Sequence, residues 1–176
     1  MSDKNPPNKR LKRSEKNPLW DNNVNAPPQI KYDVFVNFRG TDIRSGLLSH
    51  LIEAFKRNQI NAFVDDKLER GEEIWPSLVE AIERSQISLI IFSEDYASSH
   101  WCLEELVTIL ECRKKYGQVV FPIFYHVEPR DVGKQSLEKY KKAFAEHETK
   151  YETKVQTWRH ALKKSAKFSG IVTSNR

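Results

Sequence analysis

Apolar and polar positions change their period several times along the chain, and each change marks an element. From Tyr32 to Phe38 the run Tyr-Asp-Val-Phe-Val-Asn-Phe is rich in β-branched and aromatic residues and stops at Gly40, which predicts a strand. Beyond it Leu47, Leu48, Leu51, Ile52 and Phe55 recur at helical spacing, with Asp42 as the expected N-cap. Ile60 to Val64 reads as a second strand, followed by a charged loop from Asp65 to Ile74. The next helix carries Pro76 in its first turn and is expected to turn Leu78 and Ile82 to the sheet. Ile87-Ser88-Leu89-Ile90-Ile91-Phe92 is almost continuously apolar, the pattern of a central parallel strand covered on both faces. A helix over His100 to Lys115 leads to a fourth strand, Val119 to Phe124, where Pro122 removes a ladder donor and argues for an edge or irregular position. Two basic helices, about 136–149 and 152–168, and a weakly signalled strand at Gly170-Ile171-Val172 complete the pattern.

Strands and helices in alternation predict the α/β class: a flavodoxin-like doubly wound parallel sheet of four to five strands, with helices on both faces. Ligands of such sheets sit outside the C-terminal strand ends, where the winding direction reverses. Here that point lies between the first and third strands, at the loops Phe38–Asp42 and Ser93–Trp101.

Length and charge refine this picture. A chain of 176 residues suits one domain, assigned to residues 31–176, and the Pro-, Asn- and Lys-rich stretch 1–30 is expected to be a disordered basic arm. No apolar run is long enough to span a bilayer, and the first thirty residues are not signal-like, so the expected location is cytoplasmic. Lys9-Arg10-Leu11-Lys12-Arg13 is a candidate nuclear import signal. Cys102 and Cys112 lack metal-site spacing and read as packing residues, and no metal is expected. Residues 32–133 carry 11 basic and 17 acidic side chains, whereas residues 134–176 carry 11 and 4. An acidic body beside a basic C-terminal segment fits either nucleic-acid binding or head-to-tail docking of copies.

Candidate chemistry gathers at the two loops. Arg39, Gly40 and Asp42 precede a helix N-terminus, an arrangement that fits either a phosphate or a plain turn. There is no G-x-G-x-x-G after the strand and no P-loop, and the strand ends lack the acidic pocket of a phospho-acceptor domain. Glu105 stands four residues beyond Trp101, so both are expected on one helix face with Thr108 a turn further on. Leu103, Leu106, Val107 and Leu110 would form the opposing apolar stripe. Glu105 is then either a carboxylate at the crevice, with an aromatic neighbour suited to a planar ring or ribose, or an ordinary solvated helix residue.

Four stretches in order, Tyr32 to Arg44, Phe63 to Gly71, Ser98 to Leu106 and Pro122 to Val132, resemble the signature of a plant Toll/interleukin-1 receptor domain. The resemblance covers about Lys31 to Arg176. It implies an intracellular immune-signalling domain that self-associates, binds other such domains, and hydrolyses NAD+ to nicotinamide and ADP-ribose-type products, cyclised ones included, triggering defence and cell death. NAD+ would be the substrate, with no tightly bound cofactor. By motif, the catalytic glutamate is Glu105 rather than Glu104; Phe38, Arg39, Gly40, Asp42, Ile74 and Trp101 would line the pocket, and the 65–74 loop would open or cover it. Ser49 and His50 would meet the last helix around Trp158 across a symmetric interface, and Gly133 would bear on a self-association surface. Asn37, Trp75 and Gly133 depart from the commonest family pattern, in which Ser, a small residue and a basic residue are usual. The alternatives are a non-catalytic homotypic scaffold and a nucleic-acid-dependent nucleotide synthetase or hydrolase.

Overall fold

The computed structural model describes residues 26–40, 43–64 and 74–173. Asp42, nearly all of the 65–74 loop, and the arm up to residue 25 lie outside the described residues. The elements are β1 (Tyr32–Phe38), α1 (Ser49–Arg57), β2 (Ala62–Val64), α2 (Trp75–Glu83), β3 (Ser85–Phe92) and α3 (His100–Tyr116). They continue as β4 (Val119–Tyr125), α4 (Pro129–Lys134), α5 (Glu138–Lys150), α6 (Glu152–Ser165) and β5 (Ile171–Thr173). The five strands form one parallel sheet in the order β2-β1-β3-β4-β5, the doubly wound order expected from the alternation. β1 pairs with both β2 and β3, so the reversal point sits between β1 and β3.

The core has two halves, one on each side of the sheet. Phe35, Ile90, Phe92 and Phe124 point to the side packed by α2, α3, α4, α5 and α6. Val34, Val36, Leu89, Ile91 and Ile123 point to the other, where α1 lays down Leu47, Leu51, Ile52 and Phe55. Alternate residues of each strand thus serve opposite cores, the reason β3 is apolar without a break from Leu89 to Phe92.

Several boundaries differ from the periodic reading, each for a local reason. The first helix does not open as a regular α-helix. A π-helical turn, Arg44–Leu48, precedes α1, closed by Leu48 N–H donating to the Ile43 carbonyl at 2.8 Å and bent at Gly46. β2 starts two residues later than Ile60, because Ile60 N–H still bonds the Phe55 carbonyl at 2.9 Å and Gln59 turns at φ +55°. α4 was hidden inside the predicted loop: Pro129 starts it and Gln135, at φ +50°, ends it.

Of the two positions Pro122 suggested, edge or irregular, β4 is not an edge strand, since β5 pairs with it from Ile123 onward. Pro122 stands one residue ahead of that pairing, where the chain needs no ladder partner on the β5 side. Gly170 then passes so close that a Cβ there would fall 2.1 Å from the Pro122 carbonyl oxygen. Gly170→Ala is therefore expected to destabilise the domain by about 1–3 kcal/mol through overpacking of backbone on backbone, readable as a lowered urea midpoint with an unchanged slope.

Candidate functional site

α3 begins beside the end of β1, and its start is well specified. Ser99 caps it, the hydroxyl accepting from Cys102 N–H at 3.3 Å, while Gly117 at φ +71° closes it after Arg113, Lys114 and Lys115. The Cys102 thiol donates to the Phe38 carbonyl at 3.2 Å, which pins the first turn of α3 to the last residue of β1. The Ser93 hydroxyl donates to the Arg39 carbonyl at 3.2 Å, so the two loops at the reversal point touch.

At this junction Glu105 is fully buried, 0% exposed. Asn37, also fully buried, donates from Nδ2 to Glu105 Oε2 at 2.7 Å. Tyr96, in a 3-10 turn over Tyr96–Ser98, donates its hydroxyl to Asn37 Oδ1 at 2.5 Å and lies 3.2 Å from the Cys102 carbonyl. Burial, then the neighbouring Cys102 and Glu105, hold the Tyr96 phenol well above its ordinary pKa, so it remains a donor at neutral pH.

Glu105 shares the sheet-facing side of α3 with Cys102 and Ile109, whereas Trp101 is half-buried in an outer cleft of about 360 Å³. That cleft is lined by Trp75, His100, Trp101, Glu104, Tyr151 and Lys154. Trp75 and Trp101 lie 5.6 Å apart, and His100 stacks on Tyr151 at 4.8 Å. Burial, followed by the nearby His147, lowers the His100 pKa, so its ring is neutral at physiological pH. Glu104 pairs with Lys154 at 2.5 Å. Thr108 is no part of either feature, its hydroxyl donating back to the Glu104 carbonyl at 3.1 Å.

The other expected pocket residues divide. Arg39 is exposed, and Gly40 takes φ +114°, a conformation that favours glycine. Ile74 sits at the entry of α2, its carbonyl accepting from Ser77 at 3.0 Å. Phe38 is buried in the α1-side core, its ring 5.5 Å from the Arg44 guanidinium.

Of the expected self-association residues, Ser49 and His50 are exposed at the start of α1. Trp158 is not available for such a contact. It is 1% exposed, packed against His147 and Tyr151 at 5.3 and 5.5 Å, because its side of α6 closes the core. Gly133 likewise faces inward, where a Cβ would meet Ala166 Cβ at 3.1 Å. Both cysteines are buried, and burial pushes the Cys112 thiol up to about 11, in keeping with a packing role. No helix among the described residues is long and apolar enough to cross a membrane.

Periodicity missed Tyr96, His100 and Tyr151, and did not assign Asn37 as the partner of Glu105. One signal was present: an asparagine in an otherwise apolar stretch of strand must find a partner when buried.

Comparison with known proteins adds an independent line. A family model described as TIR domain matches residues 31–176. The chain is similar to disease resistance protein RPV1 of Vitis rotundifolia, 50% identical over 144 residues, which are 82% of this chain and 10% of that protein. It is similar to TMV resistance protein N of Nicotiana glutinosa, 50% identical over 143 residues, 79% of this chain and 12% of that protein. The chain thus spans about a tenth of the length of these relatives. Among solved structures, the TIR domains of the activated Roq1 resistosome, described as directly recognising the pathogen effector XopQ, align with a TM-score of 0.72 at 44% identity. That alignment covers 81% of this chain and 87% of the other.

Proposed function

Because the chain belongs to the TIR domain family, we propose that it is a plant immune-signalling domain that self-associates and, once assembled, hydrolyses NAD+ to nicotinamide and ADP-ribose-type products. The observation that carries this reading is a carboxylate, Glu105, buried at the reversal point of a parallel sheet and oriented there by the Asn37 side-chain amide. A hydrogen bond from a neutral amide orients a carboxylate without itself cancelling the charge.

The chemistry asks for little more. In the cleavage, water adds to the ribose anomeric carbon, the bond to the pyridinium nitrogen breaks, and its electron pair neutralises the ring, so nicotinamide departs uncharged and a proton is released. The transition state has oxocarbenium character, and a carboxylate beside the sugar offsets its positive charge and holds its hydroxyls. Leaving-group acid catalysis is unnecessary. The rings of Trp75, Trp101, His100 and Tyr151 supply flat apolar walls next to this site, suited to a planar base.

The burial of Glu105 makes the activity conditional. A carboxylate with no exposed surface in the single chain reaches a ribose only after its cover shifts, and contact with a neighbouring copy is the event proposed to shift it. Exposed Ser49 and His50 on α1 are the surface assigned to one such contact, and the relatives' place in disease resistance and in a resistosome accords with assembly. The same burial equally suits a scaffold that signals by homotypic contact alone. Nicotinamide release from artificially oligomerised protein, against the dilute chain and Glu105→Ala, separates the two: release from the wild-type assembly alone supports the enzyme. Release from neither, in a verified oligomer, leaves the scaffold.

A further inference from the structure

We infer that Asn37 is the positioning residue that aims Glu105, and that Tyr96 is the clamp that sets the orientation of Asn37; the inference rests on the catalytic reading of Glu105. Asn37 lies on β1, Glu105 on α3 and Tyr96 in the turn between β3 and α3, so the three meet only in the folded sheet. The amide of Asn37 has two unlike ends, and Tyr96 decides which one faces α3. The Tyr96 hydroxyl has one proton, and of its two acceptors the nearer is Asn37 Oδ1 at 2.5 Å against 3.2 Å for the Cys102 carbonyl, so Oδ1 turns toward Tyr96 and Nδ2 toward Glu105. The reversed amide would set Oδ1 against a carboxylate oxygen, acceptor against acceptor, in a site with no water-exposed atoms to relieve it.

The remaining contacts tighten this arrangement. Nδ2 also lies 3.5 Å from the Cys102 carbonyl, which Tyr96 approaches at 3.2 Å, so both side chains are referenced to the first turn of the helix that carries Glu105. Tyr96 is itself 0% exposed and packed edge-on to Phe92 at 4.8 Å, which leaves its hydroxyl little freedom. A serine at position 37 would offer a shorter, rotatable hydroxyl able to give or accept; asparagine with Tyr96 fixes a donor. The consequence is a carboxylate whose Oε2 is committed to Asn37 and whose bearing toward the crevice is set by β1, not by the exposed Arg39.

The test uses oligomerised protein with Asn37→Ala, Asn37→Asp and Tyr96→Phe. Asn37→Ala is expected to lower kcat for nicotinamide release about 10- to 100-fold, the range of a hydrogen bond to a charged group, with KM for NAD+ within about twofold. Tyr96→Phe, which frees the amide to turn, is expected to lower kcat about 3- to 10-fold. Asn37→Asp gives a signature that loss of packing does not. The groups facing position 37 are Glu105 and Cys102 from α3 and Tyr96 from the turn, with Tyr140 of α5 interacting with Tyr96 in turn. Two carboxyls in contact share one proton, so the protonated form still donates at low pH and the variant loses activity as pH rises, a fall the wild type lacks. Wild-type kcat in Asn37→Ala, or an Asn37→Asp pH profile parallel to wild type, would overturn the inference.

A readout independent of turnover keeps the two claims apart. By NMR, the Asn37 side-chain amide protons are expected to exchange slowly and to shift in both Glu105→Gln and Tyr96→Phe. If the assembled wild type releases no nicotinamide while these amide signatures hold, the catalytic reading fails and the positioning geometry stands. An Asn37 amide that exchanges like a solvent-exposed one, indifferent to both substitutions, would sink the positioning claim whatever the activity.

Discussion

Glu105→Ala, in oligomerised protein, is expected to lower nicotinamide release about 10²- to 10³-fold, the cost of removing one preorganised group that stabilises charge in the transition state. Glu105→Gln is the sharper variant. Its side chain keeps the shape and can still accept from Asn37, so thermal stability should stay near wild type while the negative charge is gone. Equal inactivity in both variants assigns the loss to charge; activity retained in Glu105→Gln would mean that shape and hydrogen bonding suffice. The effect should fall on kcat with KM little changed, because the ribose gains positive charge only in the transition state. Alanine carries a second cost, since it leaves the buried Asn37 donor without the 2.7 Å partner it has in the wild type.

Trp158→Ala should produce the largest fall in stability, about 3–5 kcal/mol, seen as a Tm lowered by ~10 °C. Trp158 is among the largest fully buried side chains, and it joins α6 to His147 of α5, itself tied by Nε2 to the Ala97 carbonyl at 2.7 Å. Truncation would loosen the support beneath Tyr151 and hence one wall of the aromatic cleft. Introducing acidic side chains at the exposed pair, Ser49→Asp with His50→Glu, is the counterpart: surface substitutions there should leave Tm nearly unchanged. Light scattering then reads self-association alone. A Trp158→Ala protein as stable as wild type would show that the α5–α6 packing contributes far less than its burial implies.

Particular elements show how far the chain could be read without its fold. The apolar run of β3 was legible because a parallel strand covered on both faces leaves no polar phase, and the order β2-β1-β3-β4-β5 followed from alternation with right-handed crossovers. The helix read from His100 to Lys115 falls within a residue of α3, whose ends are fixed locally by Ser99 as a cap and Gly117 as a stop. Pro122 misled in suggesting an edge, because a missing N–H says only that one ladder position is unneeded, and the late start of β5 supplies that position inside the sheet. Trp158 misled in another way: the motif that drew attention to its helix does not say which face of that helix the core takes.

The sequence by itself determined the fold class, through local periodicity, and pointed to the loops at the reversal point; the choice of Glu105 over Glu104 came from the resemblance of the Trp101 to Leu106 motif to a known family. Only the tertiary structure decided that Glu105 is buried and that it accepts from Asn37, 68 residues earlier in the chain. The physical reason is that periodicity reports which side of an element is apolar, averaged over several residues. A single buried polar group takes its partner from whichever strand or turn the sheet brings alongside. For Glu105 that neighbour is set by the β1–β3 pairing and the return of α3 across it.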